Sequence, residues 1–238
     1  MLAWQKRNQD LGLSGSDEIS AMNLQRAARF AVNELRFRRI YRKYRQYTMT
    51  SKISYSGNLH LAAKVRAVAG SVVECGTWRG GMIAGIADVL GNRRSYYLCD
   101  SFQGLPPAMA IDGAAARAWQ ADTSGPAYYD NCTASVEEAR SAMDMSPARD
   151  YTILKGWFEE TLPKFPQGPI ALLRVDADWY EPTKCILDNL GSRVVVGGFI
   201  VIDDYYTWDG CTIAVNEYAA RMKWKIQQNH HGICFVAV

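Results

Sequence analysis

The first periodic stretch of the chain covers residues 20–47. Leu24, Ala28, Ala31 and Leu35 fall on one helical stripe there, and Phe30, Phe37, Tyr41 and Tyr44 on another. Two apolar stripes on one helix need two surfaces to bury them, which fits a helix packed on its own domain, a dimer contact or a lid. A hydroxyl-rich turn, Tyr47-Thr48-Met49-Thr50-Ser51, precedes a short helix over about residues 58–69. Beyond Gly70 the period changes. Apolar runs of strand length at 71–76, 95–100, 151–156, 172–175 and 198–202 alternate with helical patterns near 82–90, 133–143, 182–190 and 210–222. The last two runs, 225–228 and 233–238, are joined by Asn229-His230-His231-Gly232 alone, a connection short enough to require antiparallel pairing. Residues 103–131 carry much Ala, Gly and Pro with little periodicity and read as a long substrate-side loop, with Asp112, Asp122, Tyr128 and Tyr129 as its contacts. Strands alternating with helices imply an α/β fold: a mostly parallel sheet covered on both faces, with ligands at the carboxyl edge near the switch point.

Composition changes this picture in three places. At 238 residues and 48% hydrophobic, the chain can build one substantial core plus an appendage. The net charge of +3 is uneven: Arg36, Arg38, Arg39, Arg42, Lys43 and Arg45 crowd into ten residues, and outside that run acids outnumber bases. The body therefore offers no further basic surface, and no nucleic-acid partner is expected. No window approaches the roughly 20 apolar residues of a membrane span, and Met1-Leu2-Ala3-Trp4-Gln5-Lys6-Arg7 lacks the pattern of a secretory signal. The six cysteines are scattered, with no C-x-x-C pair, so buried thiols in a reducing, cytoplasmic setting are expected.

The candidate chemistry sits where strands end. Leu172-Leu173-Arg174-Val175 runs into Asp176 and Asp178, which at i and i+2 of an extended segment would face one cavity. Gly198–Ile202 closes on Asp203 and Asp204. Neighbouring strands would bring four carboxylates to one edge, a repulsion relieved by a divalent cation or by proton sharing. Isolated acids after strands are often only caps or turn formers; two clustered pairs favour a site. After the strand at 71–76, Thr77-Trp78-Arg79-Gly80-Gly81 forms a glycine-rich turn into a helix, which lets a ligand approach the backbone and aims helix amides at it. The spacing is not G-x-G-x-x-G, so the dinucleotide fingerprint is absent. Asp100, at the end of the second strand, stands where nucleotide-binding α/β folds hold a ribose. Tyr180 and Lys184 form a Y-x-x-x-K, but Pro182 lies between them and the fingerprint is missing, which argues against a short-chain dehydrogenase. His230 and His231 read most simply as turn residues, with a place at the edge of the site as the alternative.

Five motifs then resemble, in the same order, those of the macrocin O-methyltransferase family: Glu74–Gly81, Asp100–Pro106, Lys155–Phe158, Arg174–Glu181 and Ile202–Tyr205. The resemblance runs from about Tyr47 to the C-terminus. It implies a Rossmann-like class I methyltransferase fold with a seven-stranded, mostly parallel sheet, an antiparallel C-terminal strand and an N-terminal helical appendage. Residues 1–57 would be a helical arm or lid and 58–238 the methyltransferase domain. It implies methyl transfer from S-adenosylmethionine to a sugar hydroxyl with Mg²⁺, and a homo-oligomer acting on a small glycosylated acceptor. Residue by residue, it implies metal ligation by Asp176, Asp203 and Asp204, and a general base at Asp178. The cofactor would lie against Glu74, Gly76, Thr77, Trp78 and Gly80, with Asp100 on its ribose, Ser101, Phe102, Trp157 and Phe158 near its adenosine end, and Thr50 closing over it. A catechol-like acceptor remains open, since it too would offer two vicinal oxygens to a metal.

Overall fold

The computed structural model describes residues 15–238. Residues 1–14, which include Met1–Arg7 with its expected lack of a secretory signal, lie outside the described residues, as does the side chain of Leu24. The chain divides into two compact units, residues 1–39 and 40–238. Helix α1 (Gly15–Tyr44) runs through this division. In the first unit Phe30, Val32 and Leu35 are exposed; in the second, Tyr44 is fully buried. Helix α2 (Lys52–Lys64) starts earlier than its periodicity predicts because Ser51 caps it, the hydroxyl accepting from the Ser54 N–H at 3.1 Å. It is continuous through positions 57 and 58, where the sequence suggested a domain boundary, and gives Tyr55, Leu59, Leu61 and Ala62 to the core of the second unit.

One sheet organises that unit. Its strands are β1 (Ser71–Cys75), β2 (Ser95–Asp100), β3 (Asp150–Lys155), β4 (Ile170–Val175), β5 (Val194–Ile202), β6 (Ile226–Gln228) and β7 (Cys234–Ala237), in the spatial order 3-2-1-4-5-7-6. Strands β1 to β5 pair parallel, while β7 runs antiparallel to both β5 and β6. The expected seven strands and C-terminal antiparallel pair are thus present. Strand β4 lies at the centre and is buried along its whole length, which explains its continuous apolar run. The longer helices around the sheet are α3 (Gly81–Leu90), α4 (Gly113–Ala121), α5 (Val136–Asp144), α6 (Tyr180–Leu190) and α7 (Asp209–Met222), with single helical turns at Tyr129–Cys132 and Phe158–Thr161 and short 3-10 turns between elements. Among the described residues, no helix is long and apolar enough to cross a membrane.

Two elements differ from expectation. Residues 103–131 are not a structureless loop but contain α4, whose sequence Gly-Ala-Ala-Ala-Arg-Ala-Trp-Gln-Ala is rich in the best helix former and buries only Ala116. Strand β5 starts at Val194, not near Gly198. Its register against β4 jumps between the pairs Ile170–Val194 and Leu172–Phe199, and Gly197, at φ +84°, sits in this bulge. The bulge interrupts the apolar pattern and hides the first part of the strand.

Candidate active site

The order of strands reverses between β1 and β4, and their carboxyl ends nearly touch. Gly76 leaves β1 at φ +85°, and a Cβ there would lie 1.5 Å from the carbonyl oxygen of Asp176. Sheet-like hydrogen bonds continue past the strands: the Asp176 N–H donates to Cys75 O and the Asp203 N–H to Val175 O, each at 2.9 Å. Beyond these ends, Trp78, Phe102 and Asp178 all adopt left-handed backbone conformations, with φ of 48°, 57° and 58°. Such strain costs about 1–3 kcal/mol per residue and gathers at functional sites when the surroundings enforce it. Here the enforcement is visible at Asp100, whose Oδ2 accepts from the N–H of Thr77 at 2.7 Å and of Trp78 at 2.8 Å, while Oδ1 accepts from the Phe102 N–H at 2.7 Å. Burial pushes the Asp100 carboxyl above the usual carboxylate range, and these three amides pull it back.

Two cavities open at this edge. The first, ≈ 390 Å³, is lined by Gly76, Trp78, Asp100 and Ser101 on one side and by Trp157, Phe158, Glu181 and Cys185 on another. The second, ≈ 360 Å³, is lined by Thr50, Glu74, Thr77, Arg174, Asp203, Asp204, Trp119 and Trp208. Met49, Trp78, Cys132, Asp176 and Asp178 belong to both walls. Of the residues expected around a cofactor, Gly76, Trp78, Asp100, Ser101, Trp157 and Phe158 therefore line the first cavity. Thr50, Glu74 and Thr77 face the second, while Gly80 and Phe102 line neither. Gly80 caps α3 at φ +79° with Ala139 packed against it, and Phe102 is buried with its N–H on Asp100. Asp112, guessed as a substrate contact, is buried and accepts from the N–H of Met109 and of Tyr180, each at 2.7 Å. Asp122 is exposed on the loop after α4.

The acids form one connected group. One ligand oxygen from each of Asp176, Asp203 and Asp204 lies within 4.8 Å of the others. The alternation rule does not reach Asp178, because β4 ends at Val175 and the chain turns left-handed there; the turn nevertheless brings Asp178 beside Asp204, whose Oδ2 accepts from the Asp178 N–H at 3.3 Å. The Asp178 Oδ1 accepts from the Trp208 indole at 2.9 Å. Behind the acids stands Arg174, 1% exposed: Nη1 reaches Glu74 at 2.9 Å and Asp176 at 2.6 Å, and Nη2 reaches Asp203 at 2.6 Å. Its Nε donates to Asn58 Oδ1 at 3.2 Å, which ties α2 to the centre of the sheet.

One arginine does not balance five carboxylates. Burial raises the Asp176 carboxyl to about 6, with Arg174 opposing and Asp203 adding to the rise. Burial, with Asp176 next, raises Asp178 to about 7 against the Trp208 hydrogen bond. Asp204 is pushed well up by burial and by Asp178 and Asp176, and Glu74 to about 8 by burial despite Arg174. A group of acids that resists ionisation in this way fits a bound divalent cation, and all-oxygen donors fit a hard one such as Mg²⁺.

Arg174, Asn58, Trp119 and Trp208 escaped the sequence reading. Arg174 did carry a signal, since a charge inside an apolar strand must find buried partners. The other three come from distant elements and left none.

The family described as Macrocin-O-methyltransferase (TylF) matches residues 20–238. This chain belongs to it. The match begins well before Tyr47, where the recognisable motifs start. Similar proteins include demethyldecarbamoylnovobiocin O-methyltransferase of Streptomyces niveus, 36% identical over 165 residues, which cover 65% of this chain and 60% of that protein. Another is 8-demethyl-8-(2,3-dimethoxy-alpha-L-rhamnosyl)-tetracenomycin-C 4'-O-methyltransferase of Streptomyces olivaceus, 35% identical over 160 residues, covering 65% of this chain and 59% of that protein. The chain thus matches about 60% of the length of these curated relatives. Among solved structures, the O-methyltransferase NovP superposes with a TM-score of 0.68 at 29% identity, covering 80% of this chain and 81% of that one. The class I methyltransferase fold expected from the motifs is the fold of the second unit.

Proposed function

We propose that this chain transfers a methyl group from S-adenosylmethionine to a hydroxyl of a sugar carried by a small natural product. The observation that carries the reading is the pair of cavities sharing Asp176 and Asp178, since a donor in one and an acceptor in the other would meet at those residues. Family membership and the sugar-bearing compound in one relative's name support the acceptor class. In this reading the first cavity takes the cofactor, with Gly76, Trp78, Asp100 and Ser101 at its amino-acid and ribose portions and Trp157 and Phe158 at its adenine. The Thr77 and Phe102 amides hold Asp100 in that pocket, Gly80 caps the helix behind it, and Glu74 and Thr50 line the second cavity.

Asp176, Asp203 and Asp204 would hold the metal. When bound, a divalent cation supplies positive charge that orients vicinal hydroxyls and makes one of them more acidic. Arg174 fixes one oxygen of Asp176 and one of Asp203, so both carboxylates are set before any ligand arrives. Asp178, held by Trp208 and raised to about 7, is poised to accept the acceptor's proton near neutral pH. The reaction balances simply: the carbon–sulfur bond of the sulfonium breaks, an oxygen–carbon bond forms in line with it, and the hydroxyl proton passes to the Asp178 carboxylate. Alignment of the two substrates could supply up to roughly 7–11 kcal/mol of the barrier.

The same proposal includes a cytoplasmic setting, supported by six free cysteines, four of them buried. It also includes a homo-oligomer, supported by exposed Phe30, Val32 and Leu35 on α1; an unchanged sedimentation profile after deletion of residues 1–39 would remove that part. The decisive experiment incubates the chain with methyl-labelled cofactor, Mg²⁺ and two acceptor panels, glycosylated metabolites and catechols. Label on a sugar hydroxyl, lost with chelator, is expected. Label on the catechols alone would replace the acceptor class, and no cofactor binding by calorimetry would sink the enzyme reading.

A further inference from the structure

The chain contains three histidines, and the fold brings all three together away from the acidic group. His60 lies on α2, and His230 and His231 lie in the turn between β6 and β7. The His60 and His231 rings stack with centroids 5.1 Å apart, and the His230 ring lies 4.0 Å from that of His231 and 5.7 Å from that of His60. One ring nitrogen from each falls within 4.8 Å of the others. Adjacent nitrogens around a zinc ion, at bond lengths of about 2.1 Å, stand about 3.4 Å apart, so small ring rotations close the set.

The scaffold under these rings is built for the approach. Gly57 sits one turn before His60 on the same face of α2, and a Cβ there would lie 2.6 Å from the His231 Cβ and 2.7 Å from Ile233 Cγ1. Any larger residue would push the turn away from His60. Asn229 fastens the turn from the other side: its Nδ2 donates to Gly57 O at 3.2 Å, and its Oδ1 accepts from the N–H of His231 at 2.9 Å and of Ile233 at 3.0 Å. His60 and His231 are half-buried, whereas His230 is exposed.

We infer that His60, His230 and His231 form a second metal site, for a divalent transition ion such as Zn²⁺, Ni²⁺ or Cu²⁺, which clamps the β6–β7 turn to α2. Three imidazoles are borderline ligands that suit these ions and not Mg²⁺, the reverse of the preference of Asp176, Asp203 and Asp204. The two sites would therefore bind different metals in the same molecule. Through α2 the clamp connects to Asn58 and hence to Arg174.

The test uses the full chain without a histidine tag, in excess Mg²⁺ to fill the carboxylate site. One equivalent of Cu²⁺ should give an electron paramagnetic resonance signal split by nitrogen. One equivalent of Zn²⁺ should raise the melting temperature. His60→Gln and, separately, His230→Gln should each weaken Zn²⁺ binding at least tenfold and simplify the nitrogen splitting, while Asp203→Asn leaves both unchanged. His230 is exposed, so its variant keeps the fold even if the His60 variant does not. Absence of nitrogen splitting at one equivalent, or Zn²⁺ affinity unchanged in His230→Gln, would overturn the site. Methyl transfer plays no part in either readout, so the result stands apart from the proposed activity.

Discussion

The two cavities at the sheet edge are built by different means. The first is made largely of chain at or just past a strand end: the turn after β1, Asp100 at the end of β2 with Ser101 after it, Trp157 and Phe158 after β3. Its geometry is fixed by backbone, with the Asp100 carboxylate collecting three amides. The second is made largely of side chains drawn from the segment before α2, from β1, β4 and α4, and from the segment before α7, joined by charge around Arg174 and by tryptophan rings at Trp119, Trp179 and Trp208. A pocket set by backbone tolerates changes of side chain, whereas one set by a buried charge network depends on each member.

That contrast can be broken at several points. The largest effect is expected from Asp178→Asn, which should reduce turnover by about 10²- to 10⁴-fold while calorimetry finds cofactor and metal affinity intact; near-normal turnover would reject the base. Arg174→Gln comes next. It leaves Glu74 buried without a cation and should cost about 3–5 kcal/mol in urea unfolding, with part of the loss recovered by adding Glu74→Gln. If stability is unchanged, the network does not hold the second cavity together.

A third measurement follows the acids with pH. Asp176 and Asp178 are raised in the folded chain to about 6 and about 7, above the roughly 3.9 of an unfolded aspartate. The folded state then binds protons that the unfolded state has lost. Metal-free protein should therefore lose stability as pH rises from about 4 to about 7. Mg²⁺ should raise the melting temperature more at pH 8 than at pH 5, and an equal rise at both would contradict the coupling. The smallest effect is expected from Trp208→Phe. Removing the indole donor takes away the hydrogen bond that lowers Asp178, so the acidic limb of the rate profile should move up by about one pH unit or less with cofactor affinity unaltered.

The same contrast separates what could be read in the sequence from what could not. Glu74-Cys75-Gly76 and the turn to Gly81 are legible because strand, turn and helix are consecutive, and glycine is required where Gly76 passes Asp176. Asp176, Asp203 and Asp204 are legible because each follows an apolar run. Asn58 is not, for it meets Arg174 across 116 positions, and nothing local marks an asparagine on a helix as a partner of a distant strand. Helix α4 is hard to read because its nine residues stand between the glycines and prolines of residues 104–107 and 125–126, which mark the whole stretch as loop. Asp112 looked like a loop acid facing substrate, but its oxygens are taken by the Met109 and Tyr180 amides.

The contact between Gly76 and the Asp176 carbonyl has a practical corollary for redesign. The turn after β1 and the acids after β4 share one mechanical datum, so neither can be shifted without carrying the other along. The segment from α4 to Tyr129, by contrast, supplies Trp119, Ala127 and Tyr129 to the second cavity and none of the first cavity's wall. Under the proposed function, acceptor range is therefore best altered by exchanging that segment between relatives, which would change one wall of the second cavity while leaving the shared acids where they are.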